Sequence, residues 1–179
     1  MLQHAFFTLL RKILNSNKPL AVIILAAGKG TRMDSDLPKV LHPIGELPMI
    51  TRVVQTAQEL GASRIIPVLG YKHELVQSAL KDEPVECVLQ LQQLGTAHAV
   101  IQCRETLHNF NGNILILYGD VPLITVETLA KLISLHDEQD SLGAILTADL
   151  SDPKGYGRVI RDENGNLSKI VEEKDATEG

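Results

Sequence analysis

The segment Leu25-Ala26-Ala27-Gly28-Lys29-Gly30-Thr31-Arg32-Met33, followed by Leu37-Pro38-Lys39, holds the residues best suited to chemistry. Small residues and two glycines let a backbone approach a ligand closely and turn several N–H groups toward one point, which suits phosphate oxygens. Arg32 and Lys39 add fixed cations, the first able to grip oxygens bidentately and the second a compact point charge. Nucleotidyl transfer gathers negative charge on a triphosphate and at the attacked phosphorus, and such cations neutralise it. The commoner phosphate loops fit poorly. A dinucleotide fingerprint wants a third glycine where Met33 stands, and a P-loop wants Lys then Ser or Thr after its last glycine, whereas Gly30 leads into Thr31-Arg32.

Three further segments carry chemistry. Tyr118-Gly119-Asp120-Val121-Pro122 places a carboxylate after the apolar run Ile114 to Leu117. One Asp is enough to start a Mg²⁺ site, because the ion fills its octahedron with waters and phosphate oxygens; an Asp before Val-Pro can also simply open a turn. Gln90-Leu91-Gln92-Gln93-Leu94-Gly95-Thr96 offers amides that match the N3–H and carbonyls of uracil, though an amide turned over suits cytosine. Gln90 ending a strand and Gly95-Thr96 capping a helix is compatible with either role. Gly155-Tyr156-Gly157-Arg158 and Ile170 to Thr177 form a hairpin with an acidic end. His42, His73, His98, His108 and His136 lack ligand spacing or a Ser or Cys partner and read as structural. Cys87 and Cys103 are too far apart for a CxxC half-site and read as buried, reduced thiols.

These residues need a scaffold. Apolar runs at Ala21–Leu25, Arg64–Leu69, Val85–Leu89, Ile114–Leu117 and Leu142–Thr147 read as strands, several covered on both faces. Helical patterns fall between them: Met49 to Leu60 closed by Gly61, Lys72 to Lys81, Thr96 to Leu107 and Val126 to His136. The alternation predicts a layered α/β sheet, whose ligands bind beyond the carboxyl ends of the strands. Gly157–Asp162 and Asn166–Val171 flank the turn signal Glu163-Asn164-Gly165 and predict a hairpin.

The chain has 179 residues, 44% of them hydrophobic, which supports one packed domain. Its 17 basic and 22 acidic residues form no stripe able to track a nucleic acid, so a polynucleotide partner is not expected. No apolar run reaches the roughly 20 residues of a membrane span. Leu2, Ala5, Phe6, Leu9, Leu10, Ile13 and Leu14 recur at helical spacing, so residues 1–18 read as an amphipathic helix and linker ahead of a domain over 19–179. That helix packs on its own domain, is an extended gene start, or docks on a membrane surface or partner. Arg11 and Lys12 lie inside its apolar pattern, unlike a secretory signal, so a cytoplasmic location is expected.

From about Leu20 to Thr177 the chain resembles the sugar-nucleotide pyrophosphorylases, on Leu25 through Met33 with Pro38-Lys39, and more closely the uridylyltransferase half of the bifunctional enzymes that acetylate and then uridylylate glucosamine 1-phosphate. The resemblance implies a Rossmann-like three-layer α/β nucleotidyltransferase fold with a mainly parallel, mixed sheet. It implies UTP and N-acetylglucosamine 1-phosphate as substrates. Leu25, Ala26, Ala27, Gly28 and Gly30 would hold the nucleotide, with Arg32 and Lys39 as catalytic cations and Asp120 on Mg²⁺. Gln90, Gln93, Gly95 and Thr96 would meet the uridine, and Gly157 and Glu172 the sugar. Relatives continue further, into a second metal ligand and a trimer-forming β-helix that this chain lacks, so the domain reads as incomplete at its C-terminus and the oligomeric state as doubtful. Another sugar 1-phosphate or nucleotide, or a non-catalytic nucleotide-binding module, are the alternatives.

Overall fold

A computed structural model describes residues 18–30, 35–139, 141–171 and 173–175. The amphipathic pattern at residues 2–14 lies outside them. The chain divides after Ser141 into two compact units.

The first unit is built around β1 (Leu20–Ala26), six of whose seven residues are buried. β1 pairs in parallel with β4 (Arg64–Leu69) on one side and β6 (Asn113–Tyr118) on the other, and β4 pairs with β5 (Val88–Leu89), giving the order β5-β4-β1-β6. Parallel strands need crossovers, and three helices supply them, α1 (Met49–Glu59), α2 (His73–Ala79) and α3 (Thr96–Gln102), while α4 (Val126–Glu138) follows β6. A small hairpin, β2 (Pro43–Ile44) and β3 (Leu47–Pro48), precedes α1.

Alternation along the strands divides the core between two faces. Val22, Ile24 and Ala26 of β1, with Ile65 and Leu69 of β4 and Leu115 and Leu117 of β6, pack under Val53, Val54, Val76, Leu129 and Ile133 of α1, α2 and α4. Ile23, Ile66 and Val68 point the other way, to Ala99 and Cys103 at α3. The unit is therefore the α/β sandwich of three layers expected, with a wholly parallel central sheet; antiparallel pairing is confined to small hairpins. On the α3 side β6 is bare, and Ile114, Ile116 and Tyr118 are exposed.

Local signals explain the element ends. Gly61 sits at φ +75°, and Ala62 N–H to Ala57 O with Gly61 N–H to Gln58 O closes α1 in a Schellman turn. The Thr125 hydroxyl accepts from Thr128 N–H at 3.2 Å and starts α4. Lys72 stands outside α2, not inside it as its pattern suggests, because its φ of 47° is left-handed. β5 begins at Val88 rather than Val85, since Val85 N–H turns back to Glu83 O. α3 stops at Gln102 and continues to Asn109 only as turns, with Cys103 N–H on Val100 O and Arg104 N–H on Ile101 O.

The second unit holds the expected hairpin, β7 (Arg158–Arg161) against β8 (Leu167–Val171). Gly165 takes the positive φ of the turn, and the Asp162 carboxylate accepts from Asn164 N–H at 2.9 Å and Asn166 N–H at 2.8 Å. The strand expected over Leu142–Thr147 does not form: the segment is irregular, with Leu142, Ile145 and Leu146 exposed. An apolar run becomes a strand only with a ladder partner, and this one has none among the described residues.

Candidate functional site

The carboxyl ends of β1 and β6 meet through glycine. Gly119 N–H donates to Leu25 O at 2.9 Å. A Cβ on Gly119 would lie 3.2 Å from Val40 Cγ1 and 3.3 Å from Ala26 Cβ, so only a residue without a side chain fits easily, and Asp120 is thereby delivered beside the end of β1. A single 3-10 turn, Lys39–Leu41, seats its middle residue Val40 in the core and projects Lys39 back over the loop. Lys39 Nζ meets Asp120 Oδ2 at 2.7 Å, with the two side chains 40% and 31% exposed.

The loop after β1 has two different glycines. Gly30, at φ +65°, backs onto Lys39: a Cβ there would be 2.7 Å from Lys39 Cβ. Gly28 has nothing within 4 Å of such a Cβ, which leaves its backbone open to a ligand. Ala27 O accepts from Gln93 Nε2 at 2.8 Å and from Tyr71 N–H at 3.2 Å, tying the Gln90–Thr96 segment to the loop. Lys29 and Lys72 each stand 5.5 Å from the centroid of the Tyr71 ring, adding positive charge nearby.

Gln90 is a rare buried polar side chain, and its Nε2 reaches Gly95 O at 3.1 Å and His98 Nδ1 at 2.9 Å. Gly95 adopts φ 99° and ψ 179°, a glycine conformation that opens α3.

One cavity of about 480 Å³ gathers these residues. Leu25, Ala26, Ala27, Gly28, Gly30, Lys39, Gln90, Gln93, Gly95, Thr96 and Asp120 all line it, as do Val40, Ala99 and Tyr118, which the sequence did not single out. Arg32 and Glu172 lie outside the described residues. Gly157 belongs to the second unit, where a Cβ would rest 3.4 Å from Ile170 Cγ2. The Lys39–Asp120 pair and the Gln90–His98 hydrogen bond were missed, because nothing in spacing shows two residues from different elements meeting.

The cavity suits a cation. Asp120 already attracts an ammonium group, and among the described residues no cluster of three or more His, Cys, Asp or Glu forms a closed cage. A single carboxylate lining an open cavity fits a hard divalent ion that draws its other ligands from waters and from a bound molecule. Both thiols are free, and burial pushes Cys103 up to about 11. No helix among the described residues is long and apolar enough to cross a membrane.

Comparison with known proteins matches residues 22–168 to the family described as the MobA-like NTP transferase domain. The bifunctional protein GlmU of Geotalea uraniireducens is 48% identical over 160 residues, which are 89% of this chain and 35% of that protein. GlmU of Bacillus cereus is 49% identical over 156 residues, 87% of this chain and 34% of its own. The chain thus spans about a third of the length of these curated relatives. Among solved structures, a nucleotidyl transferase from Methanothermobacter thermautotroptrophicus superposes with a TM-score of 0.58 at 22% identity, covering 66% of this chain and 58% of that one. Rv0371c from Mycobacterium tuberculosis H37Rv, in complex with manganese, gives 0.56 at 21% identity over 67% of this chain and 60% of that chain. At such identities these two structures speak to the fold, which is that of nucleotidyl transferases.

Proposed function

The chain belongs to the MobA-like NTP transferase family, and from that premise we propose that it transfers a uridylyl group from UTP to N-acetylglucosamine 1-phosphate, yielding UDP-N-acetylglucosamine and pyrophosphate. The observation that carries the reading is the convergence of the Gly28–Gly30 loop, Lys39, Asp120 and the Gln90–Thr96 segment on one cavity.

The sugar phosphate oxygen attacks the α-phosphorus of UTP in line; a new P–O bond forms as the bond to the β-phosphate oxygen breaks, and pyrophosphate leaves with the electron pair. No covalent bond to the protein is required. The open backbone at Gly28 cradles phosphate oxygens, Gly30 turns the loop against Lys39, and Lys39 leaves Asp120 to meet the charge that develops on them. Asp120 would hold Mg²⁺, which supplies neutralisation of the triphosphate. Gln90, Gln93, Gly95 and Thr96 take the uridine, and alignment of the two reactants supplies much of the rate. Arg32 is assigned to the transferring phosphate, and Gly157 and Glu172 to the sugar hydroxyls, on the resemblance of their segments. A cytoplasmic location accompanies this reading.

Calorimetry of UTP with Mg²⁺, joined to a pyrophosphate-release assay across N-acetylglucosamine 1-phosphate, glucose 1-phosphate, CTP and TTP, tests it. Release with the N-acetylated sugar and UTP above the other pairs is expected. A preference for another pair overturns the substrate assignment, and absence of UTP binding overturns the site.

A further inference from the structure

Gln90 is only 4% exposed, and we infer that His98, near the start of α3, is a positioning residue that fixes the Gln90 amide as a hydrogen-bond acceptor toward the base and thereby sets a preference for uracil over cytosine. The inference rests on the uridylyl reading above and supplies the source of its base preference.

A primary amide nitrogen carries two hydrogens and accepts nothing. Gly95 O, which only accepts, lies 3.1 Å from Gln90 Nε2, so turning this amide over would set two oxygens together. One hydrogen is committed there. The second points to His98 Nδ1 at 2.9 Å, which must then be the unprotonated nitrogen of a neutral ring, with the proton on Nε2. Gln102 makes a rival demand: its amide stands 3.1 Å from His98 Nε2 and 3.1 Å from His98 O. A neutral imidazole accepts at one nitrogen only. The buried Gln90 takes it, since no water can replace that bond, while the part-buried Gln102 keeps its donation to His98 O and gives up the ring nitrogen to water.

With both hydrogens spent, Oε1 is the free function of Gln90, and among the described residues it has no protein partner. Gln90 lines the cavity, so an acceptor faces the ligand there. Uracil offers N3–H to an acceptor. Cytosine presents a lone pair at N3, and two facing lone pairs repel. Were the proton on Nδ1 instead, the ring and the Gly95 carbonyl would make opposite demands on the amide, and Oε1 would no longer be held firmly toward the cavity. A ring that does not read the base itself steadies the group that does.

The experiment is calorimetric titration of this chain, and of its His98→Phe and His98→Asn variants, with UTP and with CTP in the presence of Mg²⁺. Phe keeps a ring without an acceptor; Asn keeps an acceptor near the position of Nδ1. The UTP-to-CTP affinity ratio should fall roughly tenfold in His98→Phe, as loss of one orienting hydrogen bond implies, and recover in His98→Asn. A ratio in His98→Phe within about twofold of the unmodified chain overturns the role of His98 and leaves the uridylyl reading standing. An unmodified chain that binds both nucleotides equally overturns the reading and the inference together. Independently of any variant, ¹⁵N spectra of the imidazoles should show an unprotonated Nδ1 at His98, and a protonated one overturns the inference.

Discussion

Lys39 Nζ donates to Asp120 Oδ2 at 2.7 Å, joining residues 81 apart in sequence at the mouth of one cavity. The proposed transition-state cation and the proposed metal carboxylate thus neutralise each other in the free protein, so one must be released when nucleotide and metal arrive. Lys39→Ala should lower turnover about 10²- to 10³-fold, the cost of losing one preorganised stabiliser of developing charge. Turnover within about threefold together with a higher KM for UTP would instead mean uniform binding. The same substitution removes the competitor from Asp120, so Mn²⁺ affinity without nucleotide, read by electron paramagnetic resonance, should rise.

The two loop glycines should separate stability from binding. Gly30→Ala forces a side chain into φ +65° and against the Lys39 stem, and should cost about 1–3 kcal/mol in urea denaturation. Gly28→Ala meets nothing within 4 Å and should leave stability unchanged while weakening UTP in calorimetry. Full UTP affinity in Gly28→Ala would place the triphosphate elsewhere.

Burial of Cys103 makes stability fall in alkali. Its folded pKa is raised from 9.0 to about 11 by desolvation, so between those values the unfolded thiol ionises while the folded one does not. The contribution is present below pH 9.0 and lost as pH rises toward about 11. Denaturation midpoints across that range should decline, and Cys103→Ala should flatten the decline. Alkylation of the native protein at pH 8 should be slow at this residue.

The turn of the β7–β8 hairpin should loosen in acid. Backbone N–H donation from Asn166, then the Asn166 amide and Asn164 N–H, holds the Asp162 carboxyl below its ordinary value of 3.8. Its stabilisation is present above that value and lost as pH falls through the lower folded pKa. Amide exchange at Asn164 and Asn166, corrected for intrinsic rates, should quicken there, and Asp162→Asn should remove the pH dependence.

Buried parallel strands were plain in the sequence because covering both faces leaves consecutive apolar residues; β4 runs from Arg64 to Leu69, the bounds that composition suggested. Leu142–Thr147 misled for the same reason, since apolarity reports the wish for burial and not the presence of a ladder partner. The loop, Lys39, Asp120 and the Gln90–Thr96 segment were legible as motifs following strands, and the fold brings them to one cavity. What stayed hidden was pairwise: the Lys39–Asp120 contact, and the Gln90–His98 hydrogen bond made across a loop, both of which depend on how elements dock.

β1 is the hub of the sheet, yet its partners are remote, Leu20 lying opposite Asn113 and Ala21 opposite Arg64. On a ribosome the apolar hub emerges first and waits for β6 for roughly 5 to 20 s at ordinary elongation rates. During that interval Val22, Ile23 and Ile24, all buried in the finished sheet, are available to chaperones or to other nascent chains. Arrest-peptide force profiling should record little tension until Tyr118 has cleared the exit tunnel, and an early pulling peak before that point would contradict this order of assembly.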